Sequence, residues 1–464
     1  MTSTTLPMKH FSILNWSEIE KWTSTVSLLR YPNMPKKWKL MQIRNLVSQL
    51  SEKHPAEANK TYKLAGVRWY GKGIFHRETV EGNDISSKYL FPLIPNSFIY
   101  NRLFAWKESF AIVPEAFSGY YVSSEFPQFS TNKQEIIPEY LYLVFLTNKI
   151  IRAVNSASVG SSAVSRNRFR ETDFLDFHIP VPPLSVQQSI VEHWHKAQVA
   201  VDVTEKRIYQ IEQKIAGRFM SDLGLTLPKP IESLKVFHVH WKEFERWSVS
   251  YSQTRRSIIN LALGKYQVVD LNSLLEMVQY GTSEKAHNDK IGTPIIRMNN
   301  IIEGELNLSN LKYILLPEKN EKALILKEGD ILFNRTNSKE LVGKCAVFHE
   351  NGNFVFASYL IRVRADKAKA IPDYLSFVIN SPIGRRQINA LSRQIIGQAN
   401  INSQELRSLQ IPLPSLEIQH EIMDRVTEGK AEIVDERNSS EWLRQKTKKE
   451  TEEMILGICP VEGV

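Results

Sequence analysis

The sequence contains a set of side chains that could contact a nucleic acid, each in a segment where glycine or aromatic residues lie nearby. Arginine can donate paired hydrogen bonds to guanine, asparagine and glutamine can pair with adenine, and lysine can neutralise phosphates. In the N-terminal half the candidates are Arg68, Trp69, Lys72, Arg102, Arg166 and Arg168. In the C-terminal half they are Arg297, Asn299, Asn300, Arg335, Lys344, Gln398 and Asn400.

Some of these assignments leave a structural alternative open. Arg102 and Arg335 lie in an Asn-Arg element that occurs in both halves, so they could serve the scaffold or a phosphate instead of base choice. The segment GQANIN at 397–402 could be a structural turn. Removing a base reader should relax one base position, whereas removing a phosphate contact should weaken binding to all sites alike.

Motifs for a reaction are missing or incomplete. The sequence has no (N/D)PP(Y/F) motif, which holds the flipped base in adenine methyltransferases, and no GxGxxG that opens a helix after a strand. The segment 66–73 fits GxxxxGK, but Gly73 stands where a P-loop needs Ser or Thr for Mg²⁺, and no helix-forming run follows. The acidic residues form no convincing nuclease cluster. We therefore expect no catalytic residue in this chain.

Metal and disulfide chemistry are also poorly supported. Cys345 and Cys459 have no CxxC partner and no histidine at ligand spacing. Two HxH pairs, at 193–195 and 238–240, have no third ligand nearby. We expect neither a disulfide framework nor a metal site.

The composition is that of a globular protein with a basic balance. Hydrophobic residues make up 42% and charged residues 23%, and the net charge of +9 favours a polyanionic partner. No apolar run is long enough to cross a bilayer, and the N-terminus MTSTTLPMKHF has no apolar core of a signal peptide. We therefore expect a soluble, cytoplasmic protein without a membrane partner.

An internal duplication organises the elements that must position these side chains. Four pairs of matching segments occur in the same order at nearly constant spacing, which chance would not produce. The pairs are WSEIEKW at 16–22 with WKEFERW at 241–247, Asn101-Arg102 with Asn334-Arg335, PEYL at 138–141 with PDYL at 372–375, and IPVPPLSVQQSIV at 179–191 with IPLPSLEIQHEIM at 411–423.

Each half has the same predicted plan. Short apolar runs such as SFIYNRLFAW and GDILFNRT, broken by Gly, Pro, Asn and Ser, predict strands with some helices between them. The IPVPPL and IPLPSL elements follow, and their prolines require an extended chain that ends the preceding structure. A helical period begins directly afterwards.

Two long helices are predicted from apolar positions that recur every three or four residues. The first seam is Ile190, Trp194, Val201, Ile208, Ile211 and Ile215. The second, poorer seam is Ile422, Val426, Ile433 and Leu443, with polar residues between and Gly429 as a weak point. Helices of about 35–40 residues would be roughly 50–60 Å long. We expect them to pair antiparallel and to leave a face for another protein. The alternative is that each helix lies on its own domain.

These elements predict an α+β fold with an internal pseudo-two-fold duplication, in which two globular domains are separated by two long antiparallel coiled-coil helices. Gly224 is a predicted helix stop, and Pro228 and Pro230 keep the linker between the halves extended. The predicted boundaries are 1–183 for the first globular domain, 184–225 for the first helix, 226–416 for the second globular domain and 417–464 for the second helix.

This layout resembles the specificity subunits of type I restriction–modification systems over almost the whole chain. The most specific signatures are the two proline elements, each opening a long helix. In the second half IIRMNNI at 295–301, GDILFNR at 329–335 and GQANIN are also similar to that family. The first half departs from this pattern at 62–75 and 159–169, which look like a different subtype of recognition domain.

The resemblance implies a DNA-recognition subunit that is not itself an enzyme. Each globular domain would be a target recognition domain for one half of a bipartite, asymmetric site in double-stranded DNA. Two methyltransferase subunits would dock on the helices, and restriction/translocase subunits could then join. The resemblance implies that S-adenosylmethionine, ATP and Mg²⁺ are bound by those other chains and that this chain holds no cofactor.

Two other functions compete with this interpretation. The first is a self-contained DNA methyltransferase or nuclease, which the missing PP motif disfavours. The second is a coiled-coil scaffold that reads no bases, which would leave two large globular domains without a purpose.

Overall fold

The computed structural model describes residues 29–158, 168–226, 258–395 and 398–461. It divides into two compact units. The first unit comprises the chain up to Glu205 together with Asn438 onward, and the second unit is Lys206–Arg437. Arg166 and the duplicated segments at 16–22 and 241–247 lie outside the described residues.

The first unit is built from short strands, three short helices and parts of two long helices. Its strands are β1 (Lys39–Gln42), β2 (Val47–Leu50), β3 (His54–Pro55), β4 (Thr61–Val67), β5 (Ile74–Glu81), β6 (Tyr89–Pro92), β7 (Phe98–Tyr100), β8 (Phe110–Ile112), β9 (Tyr120–Val122), β10 (Gln128–Thr131) and β11 (His178–Val181). Its helices are α1 (Pro138–Phe145), α2 (Asn148–Ala157), α3 (Glu171–Asp176) and the first part of α4 (Leu184–Asp222).

The second unit continues from α4. Its strands are β12 (Val268–Asp270), β13 (Leu275–Tyr280), β14 (Thr293–Ile296), β15 (Ile301–Ile302), β16 (Glu305–Leu306), β17 (Lys312–Ile314), β18 (Asp330–Asn334), β19 (Thr336–Asn337), β20 (Cys345–Val347), β21 (Val355–Phe356), β22 (Leu360–Ala365), β23 (Arg393–Ile395), β24 (Gln398–Asn400) and β25 (Gln410–Pro412). Its helices are α5 (Glu318–Leu324), α6 (Pro372–Asn380), α7 (Pro382–Leu391), α8 (Ser403–Arg407) and α9 (Leu416–Ile455), which runs on past Arg437 into the first unit.

The same scaffold occurs in both units. A four-stranded sheet has the order β2-β10-β7-β8 in the first unit and β13-β22-β18-β20 in the second. The proline elements form β11 and β25, which pair antiparallel with β1 and β12. The matching PEYL and PDYL segments open α1 and α6, where proline is favourable because the first helical N–H has no partner to lose. The predicted α+β duplication is therefore confirmed.

A buried glutamine ties the start of each long helix to this scaffold. The amide nitrogen of Gln187 donates to the carbonyls of Glu135 and Pro182, both at 2.8 Å, and its oxygen accepts from the amide of Ile137 at 2.9 Å. Gln419 makes the equivalent three bonds in the second unit, at 3.2, 2.9 and 2.9 Å. Both side chains are fully buried. The glutamine that follows each proline element thus holds α4 and α9 to their domains.

The strands outside the scaffold differ between the units. The first unit carries a five-stranded sheet of order β3-β6-β9-β4-β5. The second carries two three-stranded sheets, β17-β14-β21 and β19-β24-β23, and the hairpin β15-β16. The two halves therefore share a framework and differ in what it displays.

The long helices pair with each other and also pack into the domain cores. In the first unit His193 of α4 contacts Glu450 of α9 at 3.3 Å, and Glu205 contacts Arg444. In the second unit Arg207 contacts Glu436 at 3.1 Å and Asp222 contacts Arg425 at 2.9 Å, with the pairs again running antiparallel. The helices therefore pair antiparallel, as predicted. They also lie partly on the domains, which was the alternative, because Ile190 and Ile455 belong to the core of the first unit and Ile422 and Val426 to the core of the second.

The seam side chains are mostly enclosed. Ile190, Val201, Ile211, Ile422, Val426 and Ile433 are buried, and Trp194, Ile208, Ile215 and Leu443 are half-buried. The weaker half of the α9 seam is filled by buried hydroxyl residues at Ser440, Thr447 and Thr451. The sequence analysis predicted polar residues between the apolar seam positions but did not identify these three, because a polar residue does not mark a seam in a periodicity count.

Glycines end both long helices. Gly224 has a φ of +71°, and the next amide bonds back to the carbonyl of Met220 at 2.8 Å, which confirms the predicted helix stop. Gly457 has a φ of +70°, and α9 ends at Ile455 within the segment 417–464. None of the described helices has the length and apolar character needed to span a lipid bilayer.

Candidate nucleic-acid interface

A tight hairpin tip between β4 and β5 presents part of the first candidate set. The segment Arg68–Gly73 makes the turn, with φ values of +58° at Tyr70, +64° at Gly71 and +75° at Gly73. The amide of Arg68 donates to the carbonyl of Gly73 at 2.8 Å and closes the turn. The GxxxxGK match therefore forms a hairpin in which a strand, not a helix, follows the glycines. This differs from the strand–loop–helix context of a P-loop.

Aromatic and basic side chains cluster at this tip. The Trp69 ring lies 5.1 Å from Phe104, and the Lys107 ammonium sits 3.6 Å above the Trp69 ring centroid. Tyr70 is 61% exposed, and Lys72 is also exposed. An exposed tyrosine in left-handed backbone conformation, beside cations and a second aromatic ring, is suited to stacking on bases and to phosphate contact.

The tip is fixed to the domain from behind. The amides of Tyr70 and Gly71 donate to the carbonyls of Lys107 and Glu108 at 2.7 and 2.9 Å. The Tyr142 hydroxyl donates to the carbonyl of Gly71 at 2.8 Å. Burial raises the pKa of Tyr142 well above its ordinary value, so this donor stays protonated.

Two other candidates of the first unit are engaged by carboxylates. Arg102 forms a bidentate pair with Glu171, with Nε at 3.0 Å, and both side chains are about three-quarters buried. Arg168 pairs with Glu125 at 2.7 Å but remains more than half exposed. The Arg102 geometry favours the scaffold role, whereas Arg168 keeps a free face. Their DNA contacts stay predictions.

In the second unit Arg335 lies against an exposed tyrosine. Its guanidinium carbon is 4.8 Å from the centroid of the Tyr280 ring, and Arg335 Nε is buried with no hydrogen-bond partner in the described part of the chain. The Tyr280 hydroxyl accepts from the amide of Ser403 at 2.9 Å, and the Arg335 amide donates to the carbonyl of exposed Tyr359 at 3.0 Å. An unsatisfied buried donor beside open aromatic rings is the kind of group that a ligand can complete.

The sheet β19-β24-β23 continues from this cluster. The carbonyl of Arg335 accepts from the amide of Ile401, directly after β24. Gln398 and Asn400 lie two residues apart on β24 and therefore share one face, while Ala399 between them is buried. GQANIN is thus partly a strand, with both amide side chains on its outer face.

The other candidates of the second unit fall into different environments. The Asn300 side chain is buried, accepts from the amide of Arg297 at 3.0 Å and donates to the carbonyl of Asn307 at 2.8 Å, so its hydrogen-bonding groups are used inside the domain. Arg297 is half-buried and donates to a backbone carbonyl, whereas Asn299 is exposed at the turn. Lys344 is half-buried and lies directly before β20.

Sequence reasoning missed several residues of these clusters. Tyr70, Tyr280 and Tyr359 were passed over because exposed aromatic residues cannot be told from core ones without the fold, and Lys107 was passed over because its place above the Trp69 ring depends on the fold. The glycine directly after Tyr280 is the sequence feature that could have drawn attention to this residue. The structure shows why Gly281 is needed, since a Cβ there would lie 2.3 Å from the carbonyl oxygen of Phe356. Within the described ranges no group of three or more His, Cys, Asp or Glu is arranged to hold a metal ion.

Comparisons with known proteins point to one family. A family model described as the type I restriction modification DNA specificity domain matches residues 35–213 and 264–439. The chain is 27% identical over 277 residues to the type I restriction enzyme EcoKI specificity subunit of Escherichia coli K12, covering 59% of this chain and 54% of that protein. It is 31% identical over 159 residues to the putative type I restriction enzyme MjaX specificity subunit of Methanocaldococcus jannaschii, covering 34% of this chain and 37% of that protein. The chain spans about half the length of these curated relatives at most.

A solved structure shares the fold. It comes from a study of complex assembly and conformational transition of the type I R-M system, with a TM-score of 0.54 and 13% identity over 92% of this chain and 99% of that one. The two regions that match the family model coincide with the two copies of the scaffold and cover well over half of the sequence. The chain therefore belongs to the type I restriction–modification DNA specificity family, as its proline elements and long helices predicted.

Proposed function

We propose that this chain is the DNA-reading subunit of a type I restriction–modification complex and is not itself catalytic. It reads a bipartite, asymmetric site in double-stranded DNA and directs methyltransferase and restriction/translocase subunits to that site. Two methyltransferase subunits dock on it, and those partner chains bind S-adenosylmethionine, ATP and Mg²⁺. The complex acts in the cytoplasm, where the DNA is.

The observation that carries this proposal is one scaffold used twice with different displayed elements. The two units would contact DNA through different chemical groups. The Trp69–Tyr70 tip of the first unit offers aromatic rings for stacking and cations for phosphates, whereas the Gln398–Asn400 strand of the second offers amides that can pair bidentately with adenine. Two unlike readers on one chain fit an asymmetric site with two unlike halves.

Exposed apolar side chains on the long helices support docking of a protein partner. Val199 and Val203 lie one turn apart on α4 and are 62% and 59% exposed. On α9, Trp442 and Val434 are exposed to a similar degree. Apolar side chains that remain open after the two helices have paired are suited to a protein partner.

The proposal is tested by single-molecule sequencing of host DNA with and without this gene. We expect one bipartite methylation motif to disappear with the chain and to return on complementation. The purified chain alone should transfer no methyl group from labelled S-adenosylmethionine. Unchanged methylation on deletion, or transfer by the chain alone, would contradict the proposal.

Base reading by β24 gives a sharper prediction. Replacing Gln398 or Asn400 with alanine should each relax the preference at one base pair and cost about 1–3 kcal/mol for the cognate sequence. Competition binding against duplexes with single base-pair changes measures this. Lys344→Ala is the comparison variant, because loss of a phosphate contact lowers affinity for all duplexes alike. If all three variants lost the same affinity on every duplex, β24 would contact the DNA phosphates and would not read bases.

A further inference from the structure

The hairpin tip of the first unit is connected to the long helix α9 by a specific ion pair. The carbonyls of Lys107 and Glu108 hold the amides of Tyr70 and Gly71 at the tip. The carboxylate of the same Glu108 accepts from Lys448 Nζ through both oxygens, at 2.9 and 3.0 Å. Glu108 therefore touches the tip with its backbone and the helix with its side chain.

The Glu108–Lys448 ion pair is partly shielded from solvent. The Glu108 side chain is 18% exposed and that of Lys448 is 35% exposed, so water screens the pair only in part. Glu108 has a φ of +56°, which a non-glycine residue adopts only when its surroundings hold it there. The bidentate contact with Lys448 is one of the interactions that hold it.

Other contacts along α9 keep Lys448 in register with the domain. Glu452, one turn further along the helix, accepts from the Asn148 side chain at 2.7 Å and from the amide of Lys149 at 3.2 Å. The helix is thus docked on α2 while Lys448 reaches the turn behind the tip. A displacement of this part of α9 would move Glu108 and, through its carbonyl, Gly71, which follows Tyr70 in the tip.

We propose that Lys448 is a positioning residue for DNA recognition, which sets the Tyr70 tip through Glu108 and so links the partner-binding helix to the reading of one half-site. This inference rests on the proposed function. In this role Lys448 does not contact DNA itself, and the experiment below distinguishes positioning through Glu108 from a direct phosphate contact.

The test compares charge-reversal variants of the full chain, with amide exchange and DNA selection as readouts. Lys448→Glu and Glu108→Lys should each speed exchange of the Tyr70 and Gly71 amides. Each should also weaken binding to the duplex that the wild type selects from a randomised library by about fivefold. The lost preference should fall in one half-site only. The double exchange, Lys448→Glu with Glu108→Lys, should restore both readouts.

Lys449→Glu is the matched control, because it makes the same charge change at the neighbouring position, where the lysine is 76% exposed. It should leave exchange at the tip and half-site preference as in the wild type. Lys448→Met supplies a milder variant if charge reversal prevents folding, and it should give the same half-site loss.

Three results would overturn the inference. One is unchanged exchange at the tip in both single variants. Another is failure of the double exchange to restore binding, which would assign Lys448 to direct phosphate contact. The third is an equal loss in both half-sites. A wild-type chain that selects no sequence at all would instead contradict the proposed function, while the exchange readout would still test the connection.

Discussion

Replacing Asp330 with asparagine is expected to lower the free energy of unfolding of the second unit by about 3–5 kcal/mol, the usual cost of removing one partner of a buried ion pair. Asp330 is fully buried at the start of β18. Its carboxylate accepts from Nε and a terminal nitrogen of Arg364 at 2.7 and 2.8 Å, across the strand pair, and from the amide of Lys327 at 2.8 Å.

The second cation makes the loss severe. Arg362 is 3% exposed and lies 3.7 Å from Asp330, and its other contacts are the carbonyls of Ala323 and Ile325, the side chains of Gln279 and Met277, and the ring of Phe356. Burial lowers the pKa of Arg362, and the charge of Asp330 opposes that effect. Without the carboxylate, a buried guanidinium would have only neutral partners.

Denaturation by urea together with amide exchange of β18 and β22 measures this effect locally. Asp366→Asn is the matched control, since that carboxylate is only partly buried and pairs at 3.0 Å with Lys369, which lies three residues on in a turn and is more than half exposed. It should leave stability close to that of the wild type, because ion pairs that water reaches contribute little. Wild-type exchange of β18 in Asp330→Asn would show that the arginines are stabilised by other means.

Removing one matched heptad from each long helix should shorten the gap in the recognised DNA by about three base pairs. Seven helical residues span about 10.5 Å, and DNA rises about 3.4 Å per base pair. Residues 200–206 of α4 and 437–443 of α9 are suitable because their removal keeps both seams in register. In α4, Ile208 takes the seam position of Val201, which lies seven residues earlier. In α9, Thr447 takes the position of Ser440, so that it follows Ile433 by seven residues.

The measurement is the map of methylated sites in cells that carry the shortened chain. Both half-site sequences should persist with a shorter interval between them, since the readers are untouched. Insertion of a matched heptad should lengthen the interval by the same amount. An unchanged interval in both variants would show that the helices do not set the spacing.

The scaffold could be predicted because its signals are local and repeated. Prolines fix φ, glycine marks the end of α4, and apolar residues at three- and four-residue spacing mark the helices. The role of Gln187 and Gln419 could not be predicted, although both are visible in the duplicated motif. A buried glutamine is stabilised by backbone groups about fifty residues away in sequence, and no local pattern reports them.

The candidate reading surface was harder to predict because residue type does not determine exposure. Arg102 and Asn300 have suitable chemistry, yet a carboxylate and backbone carbonyls respectively engage them. Gln398 and Asn400 were candidates by residue type beside a glycine, and only the structure shows that they lie on one face of a strand. Tyr70 was missed because its exposure depends on the bonds that its own amide and that of Gly71 make to Lys107 and Glu108, which only the fold supplies.

The interrupted make-up of the first unit has a consequence for its synthesis. Its core includes Ile455, close to the end of α9, together with Ile190 and residues of β7 and α1 far earlier in the chain. The second unit is one continuous stretch, Lys206–Arg437. Domains generally fold as they emerge from the ribosome. The first unit, although most of it is made first, therefore completes its core last. Until then its unfinished core surface is the part of the nascent chain most exposed to chaperones and proteases.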